Sequence, residues 1–395
     1  MSAAIYEMRA AAIGFLLLAT SLVAPAQSFL SGDSDLWKQE LSRGQQLQKD
    51  GKFEQAEDAF VAALRAAEQF GPDDVRLGAC LNTLALFYHS RGNSRAAEPL
   101  YNRAIETLVS SLGPDHPDVA KVLSSLSTLH LSEGRPEKAR MAAERRLAIF
   151  EKHVSSDSLA LVDPLNALAL IDFMEKNFTE AERRQVRSLQ VLRGHYPADS
   201  PEVAEALSNL GVIYAASGRY SMASNSLGQA VRIRETKEEG ASVAFARDLG
   251  HLAETYADRF QYAEAESLLE LSLEMREKLM TRSHPEVATA MNNLAEIHRA
   301  QGSLAEAERY FRSSLEIWEE IAGIDHLDTA VSLHNLATVM RDQRRYADAE
   351  ELFARSLKAF TKQLGPGHPK VAQVAEALSE VRRRALGEDN LASRD

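Results

Sequence analysis

The sequence predicts an all-α protein built as a solenoid of antiparallel helix pairs, and two series of residues support this prediction. Leucine recurs every 42 residues from Leu84 to Leu378. Thirteen residues after each of these leucines except the last stands an alanine, from Ala97 to Ala349. An internal repeat of this length is typical of stacked helical units, each of which buries its apolar face against its neighbours.

Each repeat contains two amphipathic helices, which we call the A helix and the B helix. In the A helix, Leu207 stands three residues before Leu210; in the B helix, Ala223, Leu227 and Val231 are four residues apart. Residues at these spacings lie on one face of an α-helix. The small residue on the packing face of each helix lets the two backbones approach closely.

Glycine and proline mark the breaks between the helices. Glycines such as Gly92 follow the A helices, where a left-handed residue ends a helix. Prolines such as Pro117 stand at the start of the A helices. Proline lacks a backbone N–H, and at this position that N–H would have no acceptor within the helix. Lys176 and Phe260 replace the break glycine, and Pro136 replaces the usual aromatic residue, so we expect irregular structure at those three turns.

The repeat also defines the predicted domain organisation. A signal peptide is expected at 1–26 and a linker at 27–35. The solenoid is expected at 36–386, with about eight helix pairs and a C-terminal capping helix at about Pro369–Ala385. A polar tail at 387–395 is expected to be disordered.

The first 26 residues have the pattern of a secretory signal. Arg9 precedes an apolar run, Ala10–Val23, which is short for a membrane span, and Ala24-Pro25-Ala26 resembles a cleavage site. Cleavage after Ala26 would release a periplasmic or secreted protein. The alternative is an uncleaved inner-membrane anchor, and contact with a membrane is expected only in that case.

Composition and motifs argue against several functional classes. The formal net charge is −12, with 57 acidic and 45 basic residues, which disfavours binding to nucleic-acid phosphates. The single cysteine, Cys80, excludes an intramolecular disulfide; we interpret it as a small buried residue, the alternative being a reactive thiol. Phosphate-binding, dinucleotide-binding, zinc-protease and nucleophile-elbow motifs are absent.

Three histidines, His116, His284 and His368, recur immediately before a proline at the start of an A helix. This position favours a role in the turn over a role in metal binding. We therefore predict no catalytic residue, no metal ligand and no cofactor.

The pattern resembles the tetratricopeptide repeat in its 42-residue form, which is found in kinesin light chains. The resemblance rests on Leu112-Gly113-Pro114-Asp115-His116-Pro117-Asp118-Val119-Ala120, Met291-Asn292-Asn293-Leu294-Ala295 and Ala305-Glu306-Ala307-Glu308. It implies a right-handed superhelical solenoid with a concave groove lined by A helices. The secretory signal suggests a bacterial protein, and cargo adaptation for a motor is not expected.

In the tetratricopeptide repeat family, which the sequence resembles, ligands lie on the A helices. The helix face opposite the packing leucine carries Asn209, His251, Asn293 and Asn335 at one position of four successive repeats. Asparagine suits an extended peptide because it both donates and accepts hydrogen bonds. The arginines nearby suit ligand carboxylates, or alternatively form ion pairs within the array. The predicted peptide-binding residues are Asn209, Arg247, His251, Asn293, Glu296, Arg299, Asn335 and Arg341.

The predicted function is therefore that of a non-catalytic scaffold or adaptor that binds a protein or an extended peptide in the groove. One alternative is a regulatory subunit of an enzyme complex, or a concealed hydrolase. That alternative needs an insertion that breaks the repeat, and none occurs between Leu84 and Leu378. A third hypothesis is a self-assembling structural array, and the oligomeric state stays open.

Overall fold

The computed structural model describes residues 35–237 and 241–392, with side chains described up to residue 386. All regular secondary structure in these residues is helical, which confirms the predicted fold class. The predicted signal peptide at 1–26 and all but the last residue of the predicted linker lie outside the described residues.

The helices follow one another in antiparallel pairs, with odd numbers for A helices and even numbers for B helices. In chain order they are α1 (Leu36–Lys49), α2 (Phe53–Glu68), α3 (Val75–Ser90), α4 (Ser94–Leu112), α5 (Pro117–Ser132), α6 (Pro136–His153), α7 (Val162–Met174), α8 (Phe178–His195), α9 (Pro201–Ala216), α10 (Tyr220–Lys237), α11 (Val243–Ala257), α12 (Tyr262–Leu279), α13 (Pro285–Gln301), α14 (Leu304–Ala322), α15 (Leu327–Asp342), α16 (Tyr346–Leu364) and α17 (Pro369–Ala392). A short 3-10 turn, Leu159–Leu161, precedes α7.

The chain forms two compact units, which divide between Ala198 and Asp199. Unit 1 contains α1 to α8, and unit 2 contains α9 to α17. Within each unit, every A helix packs on its own B helix, and each B helix packs on the next A helix. This is the nearest-neighbour packing expected of a repeat protein.

The two residue series that predicted the fold form its core. All eight leucines from Leu84 to Leu378 are buried, and all seven alanines from Ala97 to Ala349 are fully buried. The helices approach so closely that a Cβ added at Gly211 would lie 2.5 Å from Cγ of Leu227. The core of each repeat therefore depends on the pairing of a large residue with a small one.

The turns after α7 and α11 are regular, so the expectation of irregular structure at Lys176 and Phe260 is wrong. Both residues adopt the left-handed backbone conformation of glycine, with φ of 61° and 62°, and so does Arg344, with φ of 63°. The next residue in each turn donates its N–H to a carbonyl five residues back, for example Gln261 to Tyr256 at 3.0 Å. This helix-ending hydrogen bond imposes the conformation whatever the side chain.

The turn before α6 is regular as well, so the same expectation is wrong for Pro136. Gly134 adopts the left-handed conformation there, with φ of 66°, and Pro136 is the first residue of the helix. A proline at that position gives up no helical hydrogen bond.

Histidine caps the start of four A helices, which confirms the predicted role in the turn. Nδ1 of His116 accepts a hydrogen bond from the backbone N–H two residues later, at 3.2 Å. His284, His326 and His368 make the same contact at 3.1 to 3.3 Å. The imidazole thus satisfies one of the free N–H groups at the helix start.

Cys80 is fully buried in α3, as predicted. Burial raises the pKa of its thiol to about 12, because the thiolate would lose its hydration. The thiol is therefore unreactive in the folded chain.

The last helix, α17, packs on α16 and buries Val374 and Val381. It ends at Ala392, beyond the predicted end at Ala385, and so continues into the segment predicted to be a disordered tail. Among the described helices, none combines the length and the apolar character needed to cross a membrane.

Candidate peptide-binding face

The predicted binding residues lie on four A helices of unit 2. We call the surface that they form the A-helix face. It comprises Glu205 and Asn209 on α9, Arg247, His251 and Glu254 on α11, Asn293, Glu296 and Arg299 on α13, and Asn335, Arg341 and Asp342 on α15.

Two asparagines of this face bond to the preceding A helix. Nδ2 of Asn293 donates to Oε1 of Glu254 at 3.0 Å, and Nδ2 of Asn335 donates to Oδ1 of Asn292 at 3.0 Å. Asn293 is also buried, with 9% of its surface exposed. Asn293 and Asn335 therefore join neighbouring A helices in addition to lying opposite the packing leucines.

The arginines of the face are paired internally. Nη2 of Arg247 donates to Oε2 of Glu205 at 2.6 Å and thereby joins α11 to α9. Arg299 contacts Glu296 at 3.1 Å and Asp342 at 3.2 Å, and the second contact joins α13 to α15. Both arginines thus form the ion pairs within the array that the sequence left open as the alternative.

Arg341 forms a similar internal pair, with Oδ1 of Asp342 at 3.0 Å. Asn209 differs from these residues. It is half-buried on α9, and its amide forms no hydrogen bond with any other described residue. His251 is half-buried at the corresponding position of α11. Asn209 therefore keeps a donor and an acceptor available on a surface whose other amides are engaged.

A buried ion cluster lies directly beneath the face. Asp248 is fully buried, and it accepts hydrogen bonds from Nε of Arg234 and from Oγ of Ser208, each at 2.6 Å. Arg234, only 4% exposed, also donates to Oε2 of Glu205 at 2.6 Å. Glu205 therefore links this cluster to Arg247, and the cluster fixes the position of the face above it.

Sequence reasoning missed this cluster, although the sequence contains an indication of it. Arg234 and Asp248 stand at repeat positions that are apolar in most other repeats, for example Leu192 and Ala206 one repeat earlier. Arg276, one repeat after Arg234, is buried too, and burial lowers the pKa of its guanidinium. A charge at a repeat position that is otherwise apolar is the sequence feature that could have located the cluster.

Unit 1 has a buried ion cluster of its own, but at a different place. Asp172 on α7 is fully buried and accepts from Arg140 on α6 at 2.7 Å and from Arg184 on α8 at 2.6 Å. These contacts join three successive helices. The A helices of unit 1 carry smaller residues, Thr83 and Ala167, at the position of Asn209.

Antiparallel helix pairs that recur with a period of 42 residues define a helical-repeat protein. The tetratricopeptide repeat family model matches residues 39–110, 87–152, 161–236, 246–320, 286–362 and 328–394. These ranges cover most of the chain, which therefore belongs to the tetratricopeptide repeat family.

Solved structures show the same fold at low sequence identity. The apo form of RapI is 17% identical and aligns with 72% of this chain and 98% of its own, with a TM-score of 0.55. A tetratricopeptide repeat protein from Parabacteroides merdae is 16% identical over 77% of this chain and 98% of its own, with a TM-score of 0.52. No curated protein matches the sequence.

Similarity extends to the TPR-like repeats of a Podosopora anserina protein described as a kinesin light chain. They are 21% identical and align with 52% of this chain and 97% of their own, with a TM-score of 0.47.

Proposed function

We propose that this protein is a non-catalytic scaffold or adaptor that binds a protein or an extended peptide on the A-helix face of unit 2. One observation carries the proposal: side-chain contacts tie four successive A helices together. The contacts are Glu205 with Arg247, Glu254 with Asn293, Asn292 with Asn335, and Arg299 with Asp342. A surface fixed in this way loses little conformational freedom when a ligand binds.

Asn209 supplies the group best suited to a peptide backbone. Its amide presents one acceptor and one donor, the complement of a peptide group, and no other described residue engages it. An extended segment that lies along the A helices would bring its unpaired N–H and C=O groups to such amides.

The ion pairs of the face supply specificity. Arg247 and Arg299 alternate with Glu205 and Glu296 in ion pairs. A charged ligand side chain would therefore take the place of one member of such a pair. Such an exchange adds little affinity, but a wrongly placed charge costs several kcal/mol. We therefore expect backbone contacts to set the affinity and charged side chains to select the partner.

Site-specific photo-crosslinking tests the location. A photoreactive residue would replace Asn209 in one variant and Glu264 in a matched control, since Glu264 is exposed on the B helix α12. We expect the variant at 209 to capture a polypeptide partner in cells and the control to capture none. Equal capture at both positions, or capture only at 264, would contradict the proposal.

We also propose that the protein acts in the periplasm or outside the cell, because Arg9, the apolar run after it and the Ala24-Pro25-Ala26 sequence have the pattern of a secretory signal. A single, buried cysteine is compatible with an oxidising compartment. N-terminal sequencing of the envelope fraction tests the proposal. A mature terminus at Gln27 is expected, whereas an intact terminus would indicate an inner-membrane anchor.

A further inference from the structure

A polar pair recurs at junctions between a B helix and the next A helix. The residue after the series alanine of the B helix faces the residue four positions after the series leucine of the A helix. We call this the junction pair. Examples are Arg140 with Asp172, Glu266 with His298 and Glu350 with Arg382.

The junction pair between α4 and α5 has a third member. Here Glu98 faces His130, and Glu133 follows at the end of α5. One carboxylate oxygen of Glu98, one of Glu133 and a ring nitrogen of His130 all lie within 4.8 Å of one another. An imidazole nitrogen with two carboxylate oxygens is a ligand set that zinc accepts.

His130 itself indicates a missing partner. Its side chain is 5% exposed, and its buried Nδ1 has no hydrogen-bond partner among the described residues. A buried polar atom without a partner destabilises the fold, so its retention needs an explanation. In the corresponding pair, Nδ1 of His298 lies 3.8 Å from Oε1 of Glu266.

We propose that Glu98, His130 and Glu133 bind a Zn²⁺ ion that joins α4 to α5, with water as the fourth ligand. Zinc takes nitrogen and oxygen ligands at about 2.0–2.2 Å, so the three side chains must move closer together. Glu133 is exposed at the helix end, so its side chain can move towards Glu98 and His130 once its ion pair with Arg135 is broken. This site revises the expectation that the chain holds no metal ligand, and it is independent of the proposed peptide-binding face.

Arg135 is the cation that zinc must displace. Its guanidinium contacts Glu98 at 3.0 Å and also contacts Glu133, and Lys138 lies 3.4 Å from Glu98. The two basic side chains neutralise the carboxylates when no metal is bound. Removal of Arg135 should therefore tighten zinc binding, because the carboxylates would lose a competing partner.

The junction between α12 and α13 provides an internal control. It contains Glu266 and His298, the counterparts of Glu98 and His130, but Gln301 stands at the position of Glu133. Gln301 donates to Glu266 at 2.7 Å, so this junction holds one carboxylate instead of two. It should bind zinc much more weakly.

Calorimetric titration of the chelator-treated full chain with Zn²⁺ alone tests the proposal. We expect one ion per chain and at least a tenfold loss of affinity in both His130→Ala and Glu133→Gln, since each removes a ligand. Arg135→Ser, which copies Ser303 of the control junction, should bind more tightly than the unaltered chain. His298→Ala should bind as the unaltered chain does.

Each variant would first be checked for helicity and melting temperature. Glu133→Gln changes an exposed side chain, so it remains informative if His130→Ala fails to fold. Binding that neither Glu133→Gln nor His130→Ala weakens would show an adventitious ion only and would overturn the proposal. Failure of Arg135→Ser to bind zinc would overturn it as well.

Discussion

Units 1 and 2 are built from the same repeat, but they place their polar residues differently. In unit 2, side chains such as Asn293 and Arg247 tie successive A helices together, above the buried pair of Arg234 and Asp248. In unit 1, the fully buried Asp172 instead joins α6, α7 and α8. The repeat therefore fixes the packing, while the positions that vary between repeats distinguish the two units.

The largest expected effect concerns the buried ion pair of unit 2. Asp248→Ala leaves the guanidinium of Arg234 buried without its main partner, which should lower the free energy of unfolding by about 3–5 kcal/mol. Chemical denaturation measures this. If the free energy of unfolding fell by less than about 1 kcal/mol, burial of the Arg234 guanidinium would not depend on Asp248.

The double variant Arg234→Leu with Asp248→Ala sharpens the same comparison, because it installs the residues found one repeat earlier, Leu192 and Ala206. An apolar replacement of a whole buried pair is often neutral or stabilising. We therefore expect stability near that of the unaltered chain but weaker partner binding, since Glu205 loses a contact that positions it.

A core truncation tests whether damage stays local. Leu210→Ala should cost about 2–5 kcal/mol, the range for a buried leucine that leaves a cavity. Hydrogen exchange should rise in α9 to α12 more than in α15 to α17, because each repeat packs on its neighbours. Uniform loss of protection across unit 2 would contradict a quasi-one-dimensional array.

Two smaller effects follow from single positions. Asn293→Ala should lower the free energy of unfolding by about 1 kcal/mol, because the hydrogen bond to Glu254 is lost.

Phe260→Gly should raise the free energy of unfolding by about 1 kcal/mol, since glycine adopts the left-handed conformation without a steric penalty. Thermal unfolding measures both, and a destabilised Phe260→Gly would show that the ring contributes more than its 78% exposure suggests.

The sequence predicted the core well because packing repeats with the chain. Leu210 and Ala223 are buried where the period places them, and the helices begin and end near the predicted breaks. The conformation of Phe260 was not predicted, because a helix-ending hydrogen bond, rather than the side chain, decides it. Local residue preference was overridden by the geometry of the helix pair.

The candidate site was predicted less completely. A helical wheel treats one helix at a time, so it identified the side of α13 that carries Asn293 but not the neighbouring helix that covers it. The contact with Glu254 spans 39 residues and depends on how α11 and α13 pack. The same reason explains why the sequence left open whether Arg247 pairs with a ligand or within the array, whereas the packed helices place it on Glu205.

The most direct test of the central claim is to measure how tightly the captured partner binds the Asn209→Ala variant. The Glu264→Ala variant is the matched control. Asn209 lacks internal hydrogen bonds in the described chain, so its replacement should shift stability by no more than about 0.5 kcal/mol. We predict binding weaker by about tenfold, since loss of a hydrogen bond in a desolvated interface costs about 1–3 kcal/mol. If the Asn209→Ala variant bound the partner as tightly as the unaltered chain does, the assignment of the A-helix face would be contradicted.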